Sequence, residues 1–194
     1  MQELVATARS LTMVLPLAIA LAGCQENAGS KPAGAPGAGT AVDAKAGLRI
    51  PTNYRQSYQG MGSWAVAADS GSGAKELHIV YASPGAADAY RRTGHWPDGA
   101  VLVKEVFAAA TAPMTTGTVS RADKLKGWFV MVRDGGNTHP GDKRWGDGWG
   151  WAWFDAGDPG KSATTDYRSD CLTCHEPARA TELTYIGGYP ALAR

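Results

Sequence analysis

The chain lacks what several large functional classes need. Its 19 lysines and arginines balance 18 aspartates and glutamates, giving a formal net charge of +1. No basic stretch forms along it, which argues against a nucleic-acid partner, because phosphate binding needs a concentrated basic face. No apolar run reaches the roughly 20 residues that a bilayer-spanning helix requires. No internal repeat is visible. Only three cysteines occur, Cys24, Cys171 and Cys174. An odd count with two of them so close together does not make a disulfide framework. After His175 there is neither a methionine nor a histidine. What remains gives each cysteine a covalent task of its own.

The first task lies at the N-terminus. Leu11 to Ala22 is apolar apart from Thr12 and Pro16, and Arg9 precedes it. Those are the proportions of a secretory signal. The run ends in Leu21-Ala22-Gly23-Cys24, which resembles the bacterial lipobox, so residues 1–23 are expected to be removed and Cys24 acylated. Gln25 follows, with no aspartate at that position, which points to the outer membrane and a periplasmic protein. Residues 24–46 are rich in Gly, Ala and Pro and carry almost no large apolar side chain. Such a segment cannot bury enough surface to order itself and is expected to be a flexible tether.

Residues 47–194 then form one domain, long enough to build a core. A short helix is expected near Tyr54. Lys75 to Ala82 alternates with strand period, and Ser83-Pro84-Gly85 stops it. A short helix over Ala86 to Arg92 follows. Further strands are expected at Ala100 to Ala108, Gly127 to Arg133 and Gly148 to Phe154, the last with Trp149, Trp151 and Trp153 on one face. The fold class is therefore α+β, mainly antiparallel β, with short flanking helices.

Cys171-Leu172-Thr173-Cys174-His175 is the attachment pattern of a c-type haem. Two thiols add to the porphyrin vinyl groups, and the next residue, His175, is left as the proximal iron ligand. A zinc site would need a second Cys/His pair, and His78, His95 and His139 are scattered. A thioredoxin-like dithiol would need a βαβ setting that is absent. The motif sits close to the C-terminus with no ligand after it. A sixth ligand could come only from upstream, from Met61, Met114, Met131 or a histidine, so an open iron position is expected. An open position points to small-ligand binding or chemistry.

Lys104 stands in Val101-Leu102-Val103-Lys104-Glu105-Val106-Phe107, a strand apolar on both faces. It must pair, snorkel to an edge, or lose its proton. The residues alone leave these alternatives open.

Several of these stretches together resemble the cytochrome P-460 family, which includes the cytochromes c′-beta. They are Pro51-Thr52-Asn53-Tyr54-Arg55, Ile79-Val80-Tyr81, Thr93-Gly94 through Pro97-Asp98-Gly99 into Val103-Lys104-Glu105, Val132-Arg133-Asp134, the tryptophan strand, the haem motif and Tyr185 to Pro190. The resemblance implies a homodimer with one five-coordinate haem c per chain. It also implies that Lys104 contacts the haem, since the matching lysine of cytochromes P-460 is cross-linked to the porphyrin. Those proteins oxidise hydroxylamine, and the wider family binds nitric oxide. The hydroxylamine oxidisers carry a distal carboxylate where this chain has Phe129, a ring that cannot move protons. Phe129 therefore shifts the expectation towards nitric oxide, with Asp123 or Glu105 as substitutes if the register differs. A tethered electron-transfer cytochrome with a periplasmic redox partner, or a gas or redox sensor, are the competing expectations.

Overall fold

The computed structural model describes residues 41–193. The expected signal, the acylated Cys24 and the tether as far as residue 40 lie outside the described residues. The packed chain reaches back to Ala41, whose methyl group is fully buried beside Leu48, and Val42 bridges Leu48. A small residue fills that space, so no large apolar side chain marks the place in the sequence.

Six strands form one sheet: β1 Gln59–Ala67, β2 Ala74–Ala82, β3 Val101–Met114, β4 Gly117–Arg133, β5 Trp145–Gly146 and β6 Trp149–Asp155. Their order is β1-β2-β3-β4-β6-β5, and every pairing is antiparallel. Short helices flank the sheet. Tyr54–Ser57 makes one turn, and Ala86–Thr93 runs between Gly85 and Gly94, both in the left-handed region that glycine adopts without strain. The α+β, mainly antiparallel reading of the sequence holds.

The four expected strands are present, but two are longer than their apolar cores. From Ala109 to Met114, β3 pairs only with Gly117 to Ala122 of β4, beyond the reach of β2. This arm is largely solvated, and Met114 at its tip is 60% exposed. With no buried face, it carries no hydrophobic alternation to read.

Side chains alternate between two cores, as a strand period of two requires. One face carries Val80, Leu102, Met131, Trp149 and Trp151, covered by helix Ala86–Thr93 and by the C-terminal segment through Tyr167, Cys171, Leu183 and Tyr189. The other carries Val101, Val103, Val130, Ala152 and Phe154, covered by Ala41, Leu48 and Tyr54. Glu105 belongs to this second face and is 1% exposed. Arg55 donates to it through Nε at 2.6 Å, Tyr81 donates its hydroxyl at 3.1 Å, and the Tyr54 hydroxyl donates as well. Trp128 Nε1 donates to Tyr54 at 2.8 Å. Burial first, then the neighbouring carboxylate, pushes the Tyr54 phenol above its usual range.

Strand β1 was not expected, because Gly60, Gly62 and Ser63 weaken its propensity. Packing explains the glycines. A Cβ on Gly62 would collide with the carbonyl of Gly188, and one on Gly188 would stand inside the Trp64 ring. The C-terminal segment thus lies directly on β1.

Two outcomes follow from this packing. Gly188→Ala should lower unfolding stability by about 1–3 kcal/mol in a denaturant titration, and an unchanged midpoint would contradict the close approach. Glu105→Ala strands three donors and should cost about 1–3 kcal/mol, more than Glu105→Gln; equal costs would mean that the network contributes little.

Candidate haem-binding site

The haem motif is built on a helical turn. Arg168–Leu172 is a single π-helical turn that passes into Thr173–His175. In helical geometry, positions spaced by three and four share a face, so Cys171, Cys174 and His175 project to one side. Cys171 is buried and Cys174 exposed, and neither is in a disulfide. Burial pushes the Cys171 thiol up to about 11.

His175 is held from two directions. Its Nδ1–H donates to the carbonyl of Leu183 at 2.7 Å, and its ring packs edge-on against Trp151 at 4.9 Å. With Nδ1 committed, Nε2 is the nitrogen free to bind a metal. Burial, ahead of any partner, lowers the imidazole pKa and favours the neutral, ligating form. The Leu183 carbonyl is delivered by an unusual backbone. Glu182 and Leu183 both lie in the left-handed region, at φ 55° and 61°, a conformation that costs non-glycine residues energy and must be held by surroundings. The Glu182 carboxylate does that holding. It accepts from Arg133 Nη2 at 2.8 Å and from the backbone N–H of Trp96 at 2.8 Å. The carbonyl of Glu182 accepts from Trp149 Nε1 at 3.0 Å.

Beside His175 the sheet face opens into two adjoining cavities of about 290 and 370 Å³. Six residues line both: His78, Lys104, Phe129, Met131, Cys174 and His175. Strand register puts them there. Val80, Lys104, Phe129 and Trp153 lie opposite one another across four strands, with His78 and Val106 in the next row. The Lys104 ammonium lies 4.4 Å from the centre of the Phe129 ring, and Phe129 packs on Trp153 at 4.4 Å. Burial lowers the Lys104 pKa; the two thiols and Glu76 act against it.

The expected site residues come together: Cys171, Cys174, His175, Lys104 and Phe129 all border this space. Of the candidate sixth ligands, Met131 and His78 do. Met61 is core, Met114 lies on the exposed arm, His95 sits 3.4 Å from Glu182, and His139 packs on Trp145 at 4.0 Å. Glu105 points to the opposite core and Asp123 is exposed on β4 just past the arm, so neither substitutes for a carboxylate here. Trp151 is legible in the sequence only as part of an aromatic stripe that suits core, interface or haem packing alike, and the Glu182–Leu183 turn is not legible at all. No local pattern announces a backbone carbonyl as a partner.

The arrangement fits a haem. A largely apolar cavity is flanked by two unpaired thiols at attachment spacing and by an imidazole presenting one free nitrogen. Among the described residues, no group of three or more His, Cys, Asp or Glu side chains could hold a bare metal ion.

For a free amine, the lowered Lys104 pKa has a definite sign. Its proton is bound less tightly in the folded chain, so the charge costs stability at neutral pH. The cost fades as pH rises from the lowered value to the unfolded value near 10.4. Lys104→Met should therefore gain stability over the wild type at pH 7, and the gain should shrink by pH 10. A gain independent of pH would show that the amine is not free to titrate.

No curated protein matches the chain. The family model for cytochrome P460 matches residues 51–186, spanning β1 to β6, the haem motif and the Leu183 turn. The chain thus belongs to the cytochrome P460 family, haem-binding cytochromes that act on nitrogen compounds.

Proposed function

We propose that this chain is a periplasmic mono-haem c-type cytochrome that binds nitric oxide at an open iron position. Cys171 and Cys174 form the thioethers and His175 is the proximal ligand. The observation that carries the reading is the cavity beside His175, walled by Lys104, Phe129 and Met131. When bound, the haem supplies an iron centre for a small ligand and a site for one electron. The chain's own residues decide what reaches it. Phe129, backed by Trp153, presents an apolar surface that excludes water and suits a small neutral molecule. Lys104 extends from the same row of the sheet into the cavity and is the residue that would contact the porphyrin, including through a cross-link. Hydroxylamine oxidation is the weaker use of this site, because the phenyl ring of Phe129 cannot relay protons.

Cys24 carries the lipid anchor in this reading, which places the domain at the outer membrane. The domain works as a homodimer with a periplasmic electron-transfer partner. Met131 favours one alternative. It is the only methionine among the described residues that lines both cavities, so it could close the iron as a sixth ligand and make the protein an electron carrier.

The absorption spectrum separates these readings. A high-spin reduced spectrum is expected, with a red-shifted Soret band if Lys104 is cross-linked and an unshifted one if it is not. A sharp low-spin α band that disappears in Met131→Ala would establish the electron-carrier reading instead. Hydroxylamine-dependent dye reduction should be about a hundredfold slower in the wild type than in Phe129→Glu, while nitric oxide binds the wild type. Robust wild-type turnover would overturn the role given to Phe129.

A further inference from the structure

The cavity is not uniformly apolar. Of the six residues that line both of its parts, four can carry or release a proton: His78, Lys104, Cys174 and His175. Cys174 and His175 are committed to the haem, and the Lys104 amine is buried against Phe129. His78 is left. Its Nε2–H donates to Glu76 Oε2 at 3.0 Å, which leaves Nδ1 as the acceptor of the neutral ring. The other oxygen of Glu76 is ion-paired with Lys126, whose side chain is half exposed. Hydrogen bonds from Lys126 and then from His78 hold the Glu76 carboxyl below its usual range, so it stays ionised. Glu76 and Lys126 also border the larger cavity. A line of polar groups therefore runs from the cavity through His78 and Glu76 to Lys126 at the surface.

We propose that His78, oriented by Glu76, is the proton-accepting group of this cavity and serves small acids that must shed a proton to bind. The assignment rests on the open-iron reading above and extends it. A carboxylate beside an imidazole fixes its tautomer and stabilises the imidazolium formed when a proton arrives. Around His78 the charged groups are Glu76 on its own strand, Lys104 on β3, Lys126 on β4 and Asp170 on the C-terminal segment.

Cyanide tests this without requiring turnover. Hydrogen cyanide enters as the neutral acid and is held as the anion, so one proton per ligand must leave it, and a base in the cavity is the acceptor that speeds that step. The probe is stopped-flow association of cyanide with the ferric holoprotein from pH 5 to 9, compared with nitric oxide, which carries no proton. In the wild type the cyanide rate should depend on pH through a single-proton step, as transfer to one protein base requires. In His78→Gln that step should vanish, and the ratio of cyanide to nitric oxide rates at pH 7.5 should fall about a hundredfold. Glu76→Gln should keep the step but move it to lower pH, since the imidazolium loses its carboxylate; this variant serves if His78→Gln does not fold. An unchanged ratio and profile in both variants overturns the proposal while leaving the open-iron reading intact. A wild type that binds neither cyanide nor nitric oxide overturns both. Conversion from low spin to high spin in His78→Gln would make His78 an axial ligand and overturn the proton role.

Discussion

The site depends on a C-terminal segment that has no long element of its own being held against one face of the sheet. Residues 168–192 form only short turns of π, α and 3-10 helix, and such turns cannot fix a metal ligand unaided. The sheet fixes them. Gly188 lies on Trp64. Trp96 Nε1 donates to Thr184 at 3.0 Å, and Arg133 and Trp149 hold both ends of Glu182. These anchors force Glu182 and Leu183 into the left-handed region and aim the Leu183 carbonyl at His175. The orientation of the His175 imidazole is thus set by side chains on β4 and β6, far from it in sequence.

That dependence explains which parts of the site were legible. Cys171, Cys174 and His175 stand out directly, because the attachment pattern they match is a fixed spacing within five residues. Lys104 could be read as anomalous, because a charge in a strand with two apolar faces conflicts with burial. Trp151 was visible as part of an aromatic stripe, yet its contact with His175 was not, since the pairing arises only when the C-terminal turn lands on β6. The Leu183 carbonyl left no trace, because every residue has one. The sheet was legible where its faces are buried, in β2, β3, β4 and β6. It was hidden in the solvated arm and in β1, where glycines serve close packing rather than strand propensity. Among the histidines, only structure could separate His78, on the cavity face opposite Val106, from His95 and His139.

Lys104 and Glu105 show how one strand divides two tasks. Adjacent residues on a strand face opposite ways, so this pair of opposite charges cannot neutralise itself. Glu105 meets Arg55, Tyr54 and Tyr81 in the second core, where its lone pairs are satisfied and the N-terminal segment is tied to the sheet. Lys104 meets Phe129, and its strongest opposing influence is burial. Only the two thiols and Glu76 counter that burial. Burial thus weakens the hold of Lys104 on its proton, and the deprotonated amine is the nucleophilic form. The sequence order Lys-Glu therefore places a satisfied charge behind the sheet and an unsatisfied one in front of it.

The cavity's two walls then support different demands on a ligand. Phe129 is pinned between the Lys104 ammonium and the Trp153 ring, each 4.4 Å away, so it cannot swing aside without losing both contacts. It presents a fixed surface with no proton to give or take, and a neutral diatomic needs nothing more. A protic ligand needs a base, and Phe129 cannot be one whatever its position. Among the described residues, an imidazole that lines both cavities lies one row away, at His78, with its carboxylate already in place. Ligand selection and proton transfer in this cavity therefore fall to different strands: β4 carries the apolar wall, and β2 carries the acid–base pair. Changing one need not disturb the other: a carboxylate placed at position 129 would add a proton relay on β4 and leave the imidazole–carboxylate pair of β2 as it is.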